Sequence, residues 1–421
     1  MALSRQPLST KTSNLLSYGS DFLHGEANFH KFPSFQCKTD RSLKSTFLVD
    51  QKNHQFRSVI TMAKNKTFKK MIGNVSDELN EIASENLDSA PARRRVRSAF
   101  TEVQQQLDHI LFKDSPAGIR TEEWFERNSK GLQIFCKSWL PKSDYQMKGI
   151  VYFCHGYGDT CTFFFEGIAR AIAGSGYGVY AVDHPGFGLS EGLHGYISSF
   201  DDLVDNVIES ERGVSVDCFM ICLATERPEA KGLPRFLLGQ SMGGAVAIKA
   251  HLKQPTAWDG VVLVAPMCKI KDDMKPSPAC ATVLTLLSNV LPKAKLVPEK
   301  DLAESMFRDP IKKKMAVYNV ISYSGRMRLK TAVELLNATQ VIESQVDKVS
   351  SPLLVLHGAE DKVTDPLISK FLYEKASCKD KTLKLYPEGY HCILEGEPDE
   401  RILTVLKDIV SWLDSHSPLV K

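Results

Sequence analysis

The pentapeptide Gly239-Gln240-Ser241-Met242-Gly243 lies between the apolar run at 235–238 and the helix-prone stretch at 245–252. A strand must therefore turn into a helix within a few residues. Such a turn strains the backbone of its central residue and brings strand and helix close together, and the small residues Gly239 and Gly243 leave room for that approach. The Ser241 hydroxyl would then stand exposed at the edge of a sheet, where a nucleophile is needed. A Gly-x-Ser-x-Gly match is short, and taken alone a plain turn explains it equally well.

The rest of the chain decides between the two readings. A second apolar run at 353–356 ends just before Asp361, and a third strand-like stretch through Leu385 meets a Pro-Glu-Gly turn and then His391. The order Ser, Asp, His after successive strands is that of the α/β-hydrolase fold. A serine hydroxyl is a weak nucleophile at neutral pH, so His391 would take its proton during attack and return it to the leaving alcohol. Asp361 would hold the imidazole tautomer; Glu360 and Asp365 are competing acids, and the position directly after the strand favours Asp361. A tetrahedral oxyanion also needs N–H donors. The Met242 N–H supplies one, and the Tyr157 N–H a second, in the loop His155-Gly156-Tyr157-Gly158 after the apolar run at 150–153. Gly156 lets that backbone curl, and His155 reads as a buried hydrogen-bonding residue. The same loop also spells His155-x-x-x-Asp159, an acyltransferase-like spacing that a strand-to-helix loop explains without that chemistry.

Seven ordered blocks then carry a resemblance: HGYGDT, AVDHPGFGLSEG, GQSMGG, APMCKIKDDMKPS, HGAEDKVTDP, LYEKAS with DKTLKLYPEGYH, and LEGEPDE. They span about 150–412, and the chain resembles the monoglyceride lipase group of α/β-hydrolases, in its plant branch with lysophospholipase-like enzymes and caffeoylshikimate esterase. The resemblance implies an esterase acting on an acyl or aryl-acyl group and needing no metal or other cofactor.

Strand-like runs at 178–182, 235–238, 261–264, 353–356 and 382–386 alternate with helical stretches, which predicts a mainly parallel sheet with helices on both faces. We divide the chain into a tail at 1–63, a helical extension at 64–120, a first core half at 121–265 with the elbow, a helical cap (lid) insertion at 266–349, and a second core half at 350–421 with the acid and histidine. In the extension, Val96, Phe100, Val103, Leu107, Ile110 and Leu111 recur at helical spacing, as for a helix packed on the body. The turn Asn128-Ser129-Lys130-Gly131 introduces a hairpin. Asp183 is expected to hydrogen-bond the glycine-rich loop that follows it. In the cap, prolines accompany an apolar patch of Val283, Leu284, Leu286, Leu287, Val290 and Leu291. That patch would serve as cap core, line an acyl tunnel, or rest on a membrane surface.

A net charge of only +3 gives no warrant for nucleic-acid binding, and the run Arg93-Arg94-Arg95-Val96-Arg97 reads as a solvated helix face. Ten cysteines without paired spacing argue against a disulfide framework and against zinc. Cys218 and Cys222, one helical turn apart, and Cys392 beside His391 read as buried fillers. Residues 1–63 are rich in Ser and Thr, lack a secretory apolar core and resemble a plastid transit peptide, with 58–63 as a processing region. The expected activity is release of fatty acid from monoacylglycerol, a small amphipathic ester, with transient membrane contact through the cap. Alternatives are a lysophospholipid or caffeoyl ester, transfer of the acyl group to an alcohol, or a ligand receptor on the same fold.

Overall fold

Strands whose residues are apolar at successive positions must be covered on both faces, and four such strands form the middle of the sheet. In the computed structural model, which describes residues 72–114, 116–142, 146–208, 230–271, 275–297 and 303–417, these are β3 (Gly149–Cys154), β5 (Arg235–Gln240), β6 (Gly260–Val264) and β7 (Leu353–Gly358). With β1 (Arg120–Arg127), β2 (Gln133–Leu140), β4 (Tyr177–Val182) and β8 (Lys381–Tyr386), they make an eight-stranded sheet of order β1-β2-β4-β3-β5-β6-β7-β8. β1 and β2 form the expected hairpin, and β2 meets β4 antiparallel; all other pairs are parallel. Asn128 Oδ1 closes the hairpin turn by accepting from the N–H groups of Lys130 and Leu132.

Alternate strand residues feed two apolar layers. Ile150, Tyr152 and Leu237 face one layer with Ala245, Val246 and Ile248, while Val151, Phe153, Phe236 and Leu238 face the other with Ile168, Ile172, Val405 and Ile409. Helices α1 (Asp77–Ala83), α2 (Ala90–Gln105), α3 (Ile110–Lys113) and α4 (Phe164–Gly174) precede the short α5 (Phe200–Asp205) and α6 (Met242–Lys253). After β6 come α7 (Pro278–Val290), α8 (Ala303–Met306), α9 (Pro310–Met315) and α10 (Leu329–Gln345), then α11 (Pro366–Lys375) and α12 (Asp399–His416). This is the α/β-hydrolase fold, with a sheet flanked by helices.

Three sequence readings change on packing. The apolar stripe from Val96 to Leu111 is not one helix: α2 ends at Gln105, and His109 caps the separate α3 by accepting from the Leu111 N–H. Val96 and Phe100 are fully buried, each contributing about 1.5–3 kcal/mol. Arg93 is not on a solvated face. It is fully buried and donates to the carbonyls of Leu87, Gly188, Ser190 and Gly192, while Arg94 donates to that of Leu189. Lastly, α10 lies inside the 266–349 segment but packs on the core, its Leu335, Ala338 and Ile342 joining Val246 and Leu263 in one layer. A parallel crossover from β6 to β7 needs such a helix, and helical character alone does not separate it from the cap.

α7 carries no charged residue, and Val283, Leu286, Leu287 and Val290 on it are exposed, as is Leu291 at its end. No described helix is long and apolar enough to cross a membrane. The expected transit segment at 1–63, Cys218 and Cys222 lie outside the described residues.

Candidate active site

The elbow forms because β5 runs directly into α6 and nothing larger than glycine fits at the crossing. A Cβ on Gly239 would lie 2.3 Å from the Gly243 carbonyl oxygen, and one on Gly243 only 1.9 Å from that of Cys154. Ser241, at the corner, holds φ 54° and ψ −118°, a region that costs on the order of 1–3 kcal/mol for a residue with a side chain. The surroundings hold it there. The Ser241 N–H donates to Val264 O, and Ser241 O accepts from the N–H groups of Gly244 and Met267.

His391 reaches the corner from the loop after β8. Ser241 Oγ is 3.1 Å from its Nε2, and its Nδ1 is 2.7 Å from Asp361 Oδ2. The three side chains thus form one hydrogen-bonded chain, in the arrangement expected of a nucleophile, a base and an acid, drawn from three loops at the same edge of the sheet. Glu360 points to solvent, and Asp365 caps α11 by accepting from the Leu367 N–H, so neither competing acid is at the histidine. Asp361 is buried. Burial works to raise its pKa, but hydrogen bonds from His357 and His391 outweigh it and hold the carboxyl well below the usual range. Oδ1 also accepts from the N–H groups of Val363 and Thr364.

The 156–157 turn lies against Ser241, since a Cβ on Gly156 would sit 3.5 Å from Ser241 Cβ. Among the described residues no protein acceptor takes the N–H of Tyr157 or of Met242, which leaves both for a ligand oxygen. His155 is buried: its Nε2 accepts from the His184 N–H and its Nδ1 donates to Gly156 O. It holds the loop and does not meet Ser241, while Asp159 accepts from Thr160 N and Asn319 Nδ2. Asp183, also buried, accepts from the N–H groups of Cys161 and Leu189 and from Thr160 Oγ1, as a loop-holding residue should. Burial pushes the Cys392 thiol well up, which keeps it unreactive beside His391.

Several residues escaped the sequence reading. Thr364 Oγ1 lies 2.9 Å from Asp361 Oδ2, 3.2 Å from His391 Nδ1 and 3.1 Å from Ala265 O. His357, the last histidine of β7, lies 3.0 Å from Asp361 Oδ2. Gln240, next to Ser241, donates to Glu395 Oε1 at 2.7 Å and so ties the elbow to the His391 loop. Burial, reinforced by the charge of Asp159, pushes Glu395 up to about 7. The 266–349 segment touches the same parts, as Tyr323 N donates to Gly158 O and Cys392 N to Met306 O. Only the motif stretches in which His357, Thr364 and Glu395 sit marked them beforehand.

Residues 145–399 match the family described as serine aminopeptidase, S33 (Hydrolase_4). The chain is 36% identical to caffeoylshikimate esterase of Arabidopsis thaliana, over 79% of this chain and 96% of that protein. It is 31% identical to monoglyceride lipase of Homo sapiens, over 69% of this chain and 89% of the relative. Among solved structures, monoacylglycerol lipase of Paleococcus ferrophilus superposes with a TM-score of 0.56 at 25% identity, covering 68% of this chain and 99% of that one. A soluble variant of monoglyceride lipase from Saccharomyces cerevisiae, in complex with a substrate analog, shares the fold with a TM-score of 0.59 at 21% identity, covering 71% and 96%.

Proposed function

This chain belongs to the Hydrolase_4 family, and from that premise we propose that it is a serine carboxylic ester hydrolase acting on monoacylglycerol. The observation that carries the reaction is the chain of hydrogen bonds from Ser241 through His391 to Asp361. His391 Nε2 takes the Ser241 proton as Oγ attacks the ester carbonyl, and the imidazolium formed is held by Asp361. The oxyanion is received by the Tyr157 and Met242 N–H groups, a donor pair of which each member is worth on the order of 3 kcal/mol of barrier. The His391 proton passes to the leaving alcohol, the acyl group stays on Oγ, and a water activated by the same imidazole releases the acid.

Monoacylglycerol is favoured by α7. An uncharged helix with Leu286 and Val290 turned to solvent suits contact with the surface of a lipid aggregate, where such a substrate resides. The likeness to the Arabidopsis esterase favours a second reading, a caffeoyl ester cleaved by the same residues. Full-length protein given monoacylglycerol vesicles, lysophosphatidylcholine and caffeoylshikimate separates them, with Ser241→Ala as control. Faster release of fatty acid from monoacylglycerol, slowed in Leu286→Ser on vesicles but not on soluble p-nitrophenyl butyrate, is the expected result. Preferred caffeate release would replace the lipid reading, and no Ser241-dependent turnover would remove the hydrolase reading altogether. A plastid address in residues 1–63 belongs to the same proposal; a fluorescent protein fused behind them would enter plastids, and uniform cytosolic fluorescence would refute it.

A further inference from the structure

Asp361 Oδ2 serves two imidazoles. His391 Nδ1 approaches at 2.7 Å and His357 Nε2 at 3.0 Å, both side chains buried. The proton positions on His357 follow from its partners. Its Nε2 faces Asp361 Oδ2 and Thr364 O, each at 3.0 Å and each able only to accept, so Nε2 carries the hydrogen. Its Nδ1 is 2.6 Å from Ser369 Oγ on α11, whose hydroxyl donates to it. The two acceptors fix the tautomer, the Ser369 hydroxyl agrees with it, and the tautomer aims an N–H at the acid.

We propose that His357 is a positioning residue for the reaction: it shares the carboxylate oxygen that orients His391, and through that oxygen it sets how strongly the imidazolium of His391 is held. The proposal rests on the reading of Ser241, His391 and Asp361 as the reacting set. The physical argument is competition for one oxygen. A carboxylate that already receives a hydrogen bond has less negative charge to offer a second donor, so His357 weakens the grip of Asp361 on the imidazolium. That favours the neutral His391 a general base must be and also its later loss of the proton to the leaving group. Thr364 cannot replace it, because its single hydroxyl hydrogen is divided between Asp361 Oδ2 and Ala265 O. The other ionisable groups around His391 are Cys392 and Glu395 in its own loop and Asp159 from the loop after β3. None of the three hydrogen-bonds His357, whose partners are Asp361, Thr364 and Ser369.

The test uses the full chain and the pH dependence of Ser241 labelling by a fluorophosphonate. That reaction forms the Oγ–P bond, expels fluoride and passes the proton to His391, and it needs no knowledge of the natural substrate. Removing the donor in His357→Leu should move the acid limb of the labelling rate upward by about half to one pH unit. His357→Gln, which keeps an N–H within reach, should leave it within about 0.3 unit. Slower labelling in His357→Leu with an unmoved acid limb, or an equal shift in both variants, overturns the proposal. Should His357→Leu not fold, His357→Met, which also lacks a donor, reads the same loss. It should move the limb upward by a similar amount, and an unmoved limb there overturns the proposal equally. Labelling of Ser241 without turnover of any ester would remove the substrate reading and leave this inference standing, whereas absence of labelling in the wild type would remove both.

Discussion

Gly243→Ala is the sharpest perturbation available at the elbow. The added Cβ would lie 1.9 Å from the Cys154 carbonyl oxygen, 2.5 Å from its carbon and 2.8 Å from the His155 oxygen. Relaxed contact begins near 3.5 Å, so α6 and the end of β3 must part by about 1.5 Å, and every clashing atom is backbone that cannot rotate away. Overpacking of this kind costs typically 1–3 kcal/mol, and rigid backbone on both sides places it near about 3. At about 2 °C per kcal/mol in a body of this size, the melting temperature should fall by about 6 °C. The end of β3 leads directly to Tyr157, and the start of α6 carries Ser241 and Met242, so the same displacement separates the candidate nucleophile Ser241 from one of its two candidate donors. A misplacement of about 1 Å can cost roughly 10²-fold in rate. Scanning calorimetry and hydrolysis of p-nitrophenyl butyrate read the two effects, and Gly156→Ala is the control. Its Cβ would meet Ser241 Cβ at an ordinary 3.5 Å, so it should keep its melting temperature and most of its rate. A Gly243→Ala protein that melts within a degree of wild type and hydrolyses at a comparable rate would show that the elbow does not depend on this approach.

Two further outcomes follow from buried charge. Glu395, raised to about 7 from an ordinary 4.5, keeps its proton in the folded protein when the unfolded chain has released it, so it makes stability fall as pH climbs from about 4.5 to about 7. Glu395→Gln retains an oxygen for the Gln240 bond and should flatten that decline, stabilising the protein at pH 8 by up to about 3 kcal/mol; urea unfolding at pH 5 and pH 8 that shows equal gains would refute it. Arg93→Met, close in volume, leaves the carbonyls of Leu87, Gly188, Ser190 and Gly192 without their buried donor and should cost more than about 3 kcal/mol, whereas a urea midpoint near wild type would return Arg93 to the role of a surface residue.

The strand-to-helix elbow was legible because its constraint is local: five consecutive residues have to turn, and only certain residues can. Asp361 and His391 were legible because each follows a strand whose apolar run is visible in the chain, and strand order carries them to one edge of the sheet. Packing partners are not local. Arg93 sits in a basic run that looks solvated, yet three of its four acceptors are almost a hundred residues away, and a charge pattern cannot say what a helix face meets. The break between α2 and α3, and the return of α10 to the core, likewise depended on what lay across from each stripe.

What the amino-acid order alone determined is the fold, and it singled out Ser241, His391 and Asp361 as candidate nucleophile, base and acid, since strand period, turn chemistry and chain order suffice for those. Only the tertiary structure decided the arrangement around them: Asp361 shared by His357 and His391, Gln240 tied to Glu395, and α7 left with its apolar residues in solvent. Each of these depends on the distance and direction between side chains that packing brings together, or on the absence of a covering neighbour, and neither is written in local pattern.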